Sequence, residues 1–234
     1  MKIGRTLFWF EDGDESLSTI GHNFYGLSIL LNRLLNEKYD GKSIQFINIY
    51  FRTEKTYELH PNSPKEKHYY YGGGGGHLKY NGIFDRVEFI KLNWKEMNML
   101  IWEKSCTYLS QSAKLMKNQK LLEAVEYAYR KGLEIDLNPN YKHLTSTFNI
   151  SDKQYVASLC FNFKKADMFS NITVECDNEV IFEKEIHQSK NALLYFLEVY
   201  KSIIFDGTSI VVKMPRDVDY LPVKIPVSEF LKNP

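Results

Sequence analysis

Residues 16–35 read SLSTIGHNFYGLSILLNRLL. Leu17, Ile20, Phe24, Leu27, Leu31 and Leu34 recur at alternating intervals of three and four, which lays them along one continuous helical stripe. Tyr25, Leu30 and Leu35 widen the stripe, so this helix is expected to be packed on more than one side. Ser16 is placed to cap it and Asp40-Gly41 to end it. On both sides the period changes to two. Residues 3–10 (IGRTLFWF) alternate as a first strand, and Asp12-Gly13-Asp14 turns the chain out of it. Residues 43–52 form the next strand, with Ile47, Ile49 and Phe51 on one face and Phe46 and Tyr50 on the other, the pattern of a central strand.

From Thr53 to Gly82 the periodicity collapses into Pro61, Pro64, charges, tyrosines and five consecutive glycines, Gly72–Gly76. A segment of this kind predicts one long loop over 53–82. Arg86–Leu92 suits a short strand. Met97, Leu100, Ile101, Tyr108, Leu109 and Met116 give one helical face, and Leu121, Leu122, Val125, Ala128 and Tyr129 another, ending near Gly132. Asn138-Pro139-Asn140 breaks the chain. Beyond it, Tyr155, Ala157, Leu159, Phe161 and Phe163 alternate as a half-buried strand, Asp177-Asn178 and Asp206-Gly207 mark hairpins, Ser189 is placed to cap a helix through Leu193, Phe196 and Tyr200, and Pro215, Pro222 and Pro226 keep the tail extended. The expectation is one α+β domain over 1–234 with a mixed or antiparallel sheet packed with three to four helices. It divides into subdomains 1–137 and 141–234, the second rich in hairpins.

With 44% hydrophobic and 25% charged residues the make-up is that of an ordinary globular protein, and 15% aromatics favour packed cores or aromatic binding faces over disorder. A formal net charge of +1 gives no basis for a general nucleic-acid binder. Glu11 and Asp12 interrupt the first apolar stretch too early for a signal peptide, and no later run approaches transmembrane length; the expectation is a cytoplasmic protein with no membrane partner. Cys106, Cys160 and Cys176 lack metal-ligand spacing, so free buried thiols and no metal or cofactor are expected, with a Cys160–Cys176 bridge as the alternative.

The glycine run offers backbone freedom and no side chains to a core. A phosphate-cradling loop leads into a helix N-terminus, whereas a strand follows here, which argues against nucleotide binding. Tyr69, Tyr70, Tyr71 and Tyr80 beside the run are candidate partner-binding residues, because tyrosine supplies amphipathic contact area at low entropy cost. Asp12, Asp14 and Glu15 are candidates for charge steering of that partner, and acids in this position also suit a helix N-terminus. No catalytic residue is assigned in this reading, and Cys160, between Leu159 and Phe161, reads as packing. His143-Leu144-Thr145 and His187-Gln188-Ser189 both fit H-x-[ST], which resembles the paired signature of two-histidine phosphoesterases. The resemblance implies an enzyme whose two imidazoles act as general acid and base on a phosphodiester.

Two further stretches, Gly4-Arg5-Thr6-Leu7-Phe8-Trp9-Phe10 and Gly21-His22-Asn23-Phe24-Tyr25-Gly26, set the general style of the chain. In that style it resembles bacterial immunity proteins of polymorphic and contact-dependent toxin systems. The resemblance implies a non-enzymatic cytoplasmic protein that neutralises a toxin by occlusion, and it carries over no site residues. The alternatives are the phosphoester-acting enzyme using His143 and His187 and a structural or assembly protein of a mobile element.

Overall fold

The computed structural model describes residues 2–72, 76–189, 197–214 and 222–231. The fold is α+β, and the chain divides into two compact units, Met1–Pro139 and Asn140–Pro234.

In the N-terminal unit, β1 (Arg5–Asp12), β3 (Phe46–Arg52) and β5 (His77–Ile83) run parallel. Two short antiparallel strands, β2 (Glu15–Ser16) and β4 (Lys67–Tyr71), close the edges, giving the order β2-β1-β3-β5-β4. Parallel neighbours need a long crossover. Helices α1 (Ser18–Asn23) and α2 (Tyr25–Lys38) supply it between β1 and β3. β3 is therefore central, as its pattern predicts.

The single helix expected between Ser16 and Asp40 is broken at Phe24, whose φ of −98° and ψ of 12° leave the helical region. Its N–H bonds back only as far as the Gly21 carbonyl, and its ring is held by Phe10, Phe89 and Trp94, the last stacked at 5.1 Å. Ser16 caps nothing: it lies in β2, paired with Glu11, and Leu17 is the N-cap residue.

The loop expected over 53–82 is mostly structured. It holds α3 (Glu54–Leu59) and the antiparallel pair β4–β5, with Gly72 directly after β4 and Gly76 directly before β5. Polarity alternation was absent in β4 because Tyr69, Tyr70 and Tyr71 put the same side chain on both faces. In β5 the alternation of Leu78 and Tyr80 ends at Gly82, where a Cβ would lie 2.2 Å from the Tyr108 ring. Arg86–Leu92 is no strand; Asp85 accepts from the Glu88 N–H and caps the helical turn α4 (Arg86–Phe89).

Helix α5 (Trp94–Leu115) starts at a capping box of Asn93 and Glu96, and α6 (Gln119–Glu134) at an Asn118 cap. Both pack, with α2, on the sheet face formed by Phe8, Phe10, Ile47, Ile49, Phe51, Leu78 and Tyr80. Trp102 of α5 is wholly buried and lies against Gly132 of α6. Among the described residues the opposite face carries no helical layer, and the segment before β4 reaches it where Asn81 Nδ2 donates to the Pro64 carbonyl at 3.2 Å.

The C-terminal unit is an antiparallel meander, β6 (Tyr141–Ile150), β7 (Lys153–Lys164), β8 (Asp167–Cys176) and β9 (Glu179–Ser189), beside a sheet of β10 (Ser202–Phe205), β11 (Ser209–Lys213) and β12 (Val223–Pro226). Asp177 and Asn178, both at positive φ, turn β8 into β9, and Asp206 accepts three hydrogen bonds from Thr208 and Ser209 at the β10–β11 turn. The two sheets meet through Phe148 stacked on Phe205 at 4.3 Å and Tyr200 against Phe161. In strand β6 the inward run of Leu144, Phe148 and Ile150 is interrupted by Ser146, and a bulge between Lys142 and Leu144 shifts its parity, so no clean alternation shows. Ser189 ends β9 instead of capping a helix, and Leu193, Phe196 and Pro215 lie outside the described residues. The tail is not wholly extended: Pro226 opens a helical turn, α7 (Val227–Phe230). All three cysteines are free. Cys160 registers with Asn171 and Cys176 with Tyr155, on opposite faces of the sheet, which rules out their bridge.

Candidate functional site: the open face of the N-terminal sheet

Strand alternation decides which of the candidate tyrosines can meet a partner. Tyr69 and Tyr71 project from the face that carries no helix, and Tyr71 is 53% exposed. Tyr70 projects to the other side, where its hydroxyl donates to the Ser43 carbonyl at 2.6 Å. Tyr80 is a core residue, 2% exposed, and cannot anchor a partner at the surface. Its ring stacks on Tyr108 at 4.3 Å, its hydroxyl donates to Gln111 Oε1 at 2.6 Å, and burial pushes its phenol up to about 12.

The candidate acids are engaged within the unit. Arg86 holds Asp12 at 2.8 Å and Glu15 at 2.9 Å, and His60 Nε2 lies 3.1 Å from Asp14. Asp14, Glu15 and His60 line, with Glu11, Arg52 and Ser63, a shallow cleft of about 390 Å³ beyond the carboxyl ends of the parallel strands. The Arg52–Glu11 and Arg86–Glu15 pairs offset part of the cleft's negative charge, and Asp14 stays at its surface. Among the described residues no carboxylate, histidine and cysteine cluster could hold a metal.

The Asp12 carboxyl sits below its ordinary 3.8 because Arg86 and then Thr53 hydrogen-bond its charged form. A lowered carboxyl pKa stabilises the fold above the unfolded value and loses that contribution as pH falls through the folded one. Arg86→Gln is therefore expected to lower stability most above about pH 4, with the difference from wild type closing as pH falls and smallest beneath both pKa values. Thermal melts of both proteins across the acid range measure this, and parallel curves would contradict it.

The open face is a grid set by the strand register. Its first row is Arg5, Phe46, His77 and Tyr71; its second is Leu7, Asn48, Lys79 and Tyr69; its third is Trp9, Tyr50, Asn81 and Lys67. Glu11 and Arg52 lie above the third row, joined by an ion pair at 2.6 Å. Trp9 is 42% exposed, and its indole N–H donates to Asn48 Oδ1 at 3.0 Å, which pins the ring. Trp9 stacks on Tyr50 with centroids 6.1 Å apart, and Phe46 meets His77 at 4.6 Å. Four cations share the same surface. The Arg52 guanidinium lies 4.9 Å from the Tyr50 centroid, and the Lys79 ammonium 6.0 Å from Tyr50 and 5.8 Å from Tyr71.

Sequence reasoning found Tyr69 and Tyr71 but missed Trp9, Tyr50, Arg52 and Lys79. The apolar residues on both faces of β3 suggested cover on both sides. The missing signal was the polar or charged residue among the outward positions of the flanking strands, Arg5 and Glu11 on β1 and His77, Lys79 and Asn81 on β5.

In the C-terminal unit, His143 stands at a β6 bulge against Phe161 at 5.0 Å, where burial holds its pKa below the ordinary value. His187 registers with Ser170 on β9. The two histidines occupy opposite edges of one sheet, three strand spacings or about 14 Å apart. Tyr200 packs on Phe161, and its hydroxyl lies 2.5 Å from Ser170 Oγ, between them. That geometry does not bring the imidazoles onto one substrate atom.

No family model, curated protein or solved structure matches the chain. Among the described residues no helix is long and apolar enough to cross a membrane.

Proposed function

We propose that this is a non-enzymatic binding protein that docks a protein partner on the open face of the N-terminal sheet, in the manner of a cytoplasmic immunity protein that neutralises a toxin by occlusion. The observation that carries the reading is the cluster of Trp9, Tyr50 and Tyr71 with Arg52 and Lys79 on a sheet face without a helical layer. Tryptophan, tyrosine and arginine are the residue types that dominate interface energetics when a partner desolvates them. Exposed aromatic clusters of this kind are rare on surfaces that meet only water. The style of the first strand and helix agrees with the immunity class.

The test is capture of a partner from the native host by the intact chain, followed by affinity measurement with the purified partner. Trp9→Ala combined with Tyr71→Ala is expected to weaken binding by about a hundredfold, close to 2.7 kcal/mol. Both side chains are exposed, so the fold should be unchanged by circular dichroism. Equal affinity of the double variant, or cross-links that avoid β1, β3 and β4, would overturn the docking face.

A further inference from the structure

Three rings of the open face, Phe46, Tyr50 and Tyr71, are seats for cations. A nucleobase needs a bare ring face on which to stack. Here the Tyr50 ring is approached by Arg52 and Lys79, Tyr71 by Lys79, and Phe46 by Arg5 at 5.2 Å. A guanidinium or ammonium held over a ring keeps N–H donors free to turn outward. Among the described residues Arg5, Lys67 and Lys79 form no ion pair with a carboxylate, and the Arg5 Nε–H is buried without a hydrogen-bond partner. Among the described residues Glu11 is the only acid in the register rows of the face, and Arg52 already holds it.

We infer that the partner meets this face with carboxylates: its chemistry is that of an acidic protein surface. The inference rests on the open face being the docking surface. Each aspartate or glutamate of the partner would take a donor pair from Arg5 or a point charge from Lys67 or Lys79, while Trp9 and the tyrosines cover apolar area between them. Charges of one sign on a chain whose formal net charge is only +1 steer the encounter to this face and not to the rest of the surface.

The experiment titrates the intact chain with a short poly-L-glutamate, and separately with an oligo-dT of equal charge, at low and at physiological salt. Polyglutamate should bind at low salt, weaken as salt rises, and bind about tenfold less tightly to Lys79→Glu. Arg5→Gln should weaken it in the same direction, and Lys91→Glu, in the α4–α5 connection, should leave it unchanged. No binding of polyglutamate, or equal binding by wild type and Lys79→Glu, overturns the inference. So does an equal loss in Lys91→Glu, which would mean a diffuse charge effect. Tighter binding of oligo-dT than of polyglutamate overturns it in favour of single-stranded nucleic acid. Failure of the docking surface itself is separately visible, because the captured partner would then bind the Trp9→Ala and Tyr71→Ala variant as well as wild type.

Discussion

Trp102→Ala is expected to destabilise the N-terminal unit by about 3–5 kcal/mol, the range for emptying a buried tryptophan site. Trp102 is 0% exposed in the middle of α5. Its indole N–H donates to the Tyr129 carbonyl at 3.4 Å, and its six-membered ring lies so close to Gly132 that a Cβ there would come within 2.2 Å of Cζ2. One side chain therefore sets the spacing of α5 and α6, and no neighbour is long enough to fill the hole it would leave. A loss of that size is a large part of the stability of an ordinary domain. Urea unfolding followed by far-UV circular dichroism measures it as a lowered midpoint. Trp102→Phe should lose clearly less, since most of the ring volume is kept. A midpoint for Trp102→Ala within error of wild type would mean that the two helices do not meet as described.

Gly76→Ala is expected to cost about 2–3 kcal/mol, while Gly72→Ala, four residues earlier in the same run, should be close to neutral. Gly76 has φ of +69°, and a Cβ on it would stand 1.8 Å from the Ser43 carbonyl oxygen and 2.8 Å from the Ser43 carbonyl carbon. Both are backbone atoms and cannot rotate away. Gly76 cannot move off either, because its carbonyl accepts from the N–H groups of Gln45 at 2.9 Å and Phe46 at 3.1 Å. The nearest atom to a Cβ on Gly72 is a Tyr70 ring carbon at 3.8 Å, an ordinary contact. Urea midpoints of the two variants decide the matter. Equal midpoints would make the run mere slack, whereas the geometry makes its last glycine a fixed point.

The core of the N-terminal unit was legible where apolar residues recur at a fixed period. The stripe from Leu17 to Leu34, the strand at 43–52 and the α5 and α6 faces all show it, because an element facing the core repeats apolar residues at its own period. The break at Phe24 was not legible. A ring that leaves the helix to fill an aromatic nest keeps the spacing of one that stays. The β4–β5 pair was hidden for a different reason: three tyrosines in a row erase the contrast between faces, and Gly82 deletes the side chain that would have continued the pattern. For the candidate site, the sequence marked Tyr69 and Tyr71 by composition. It could not pair them with Trp9 and Tyr50, which lie far away in the chain and reach the same surface only through the parallel register. Tyr80 looked equivalent to its neighbours and is buried because its strand parity is opposite to that of Tyr69 and Tyr71.

The parallel register has a consequence for how the chain acquires its shape. Arg5 finds Phe46, and Phe46 finds His77, only after loops of roughly thirty to forty residues have closed, whereas Cys176 meets Glu179 across a two-residue turn. The half of the protein that leaves the ribosome first is thus the half whose sheet waits longest for its partners. Until β5 has been made, β3 has an unpaired edge, and the aromatic rows that later form one surface are separate, sticky strands. Each of those strands carries one outward arginine or lysine, Arg5, Arg52, Lys79 and Lys67, and a charge beside an apolar strand opposes its pairing with another copy, so the charges that suit the finished surface to a partner also guard it before it exists.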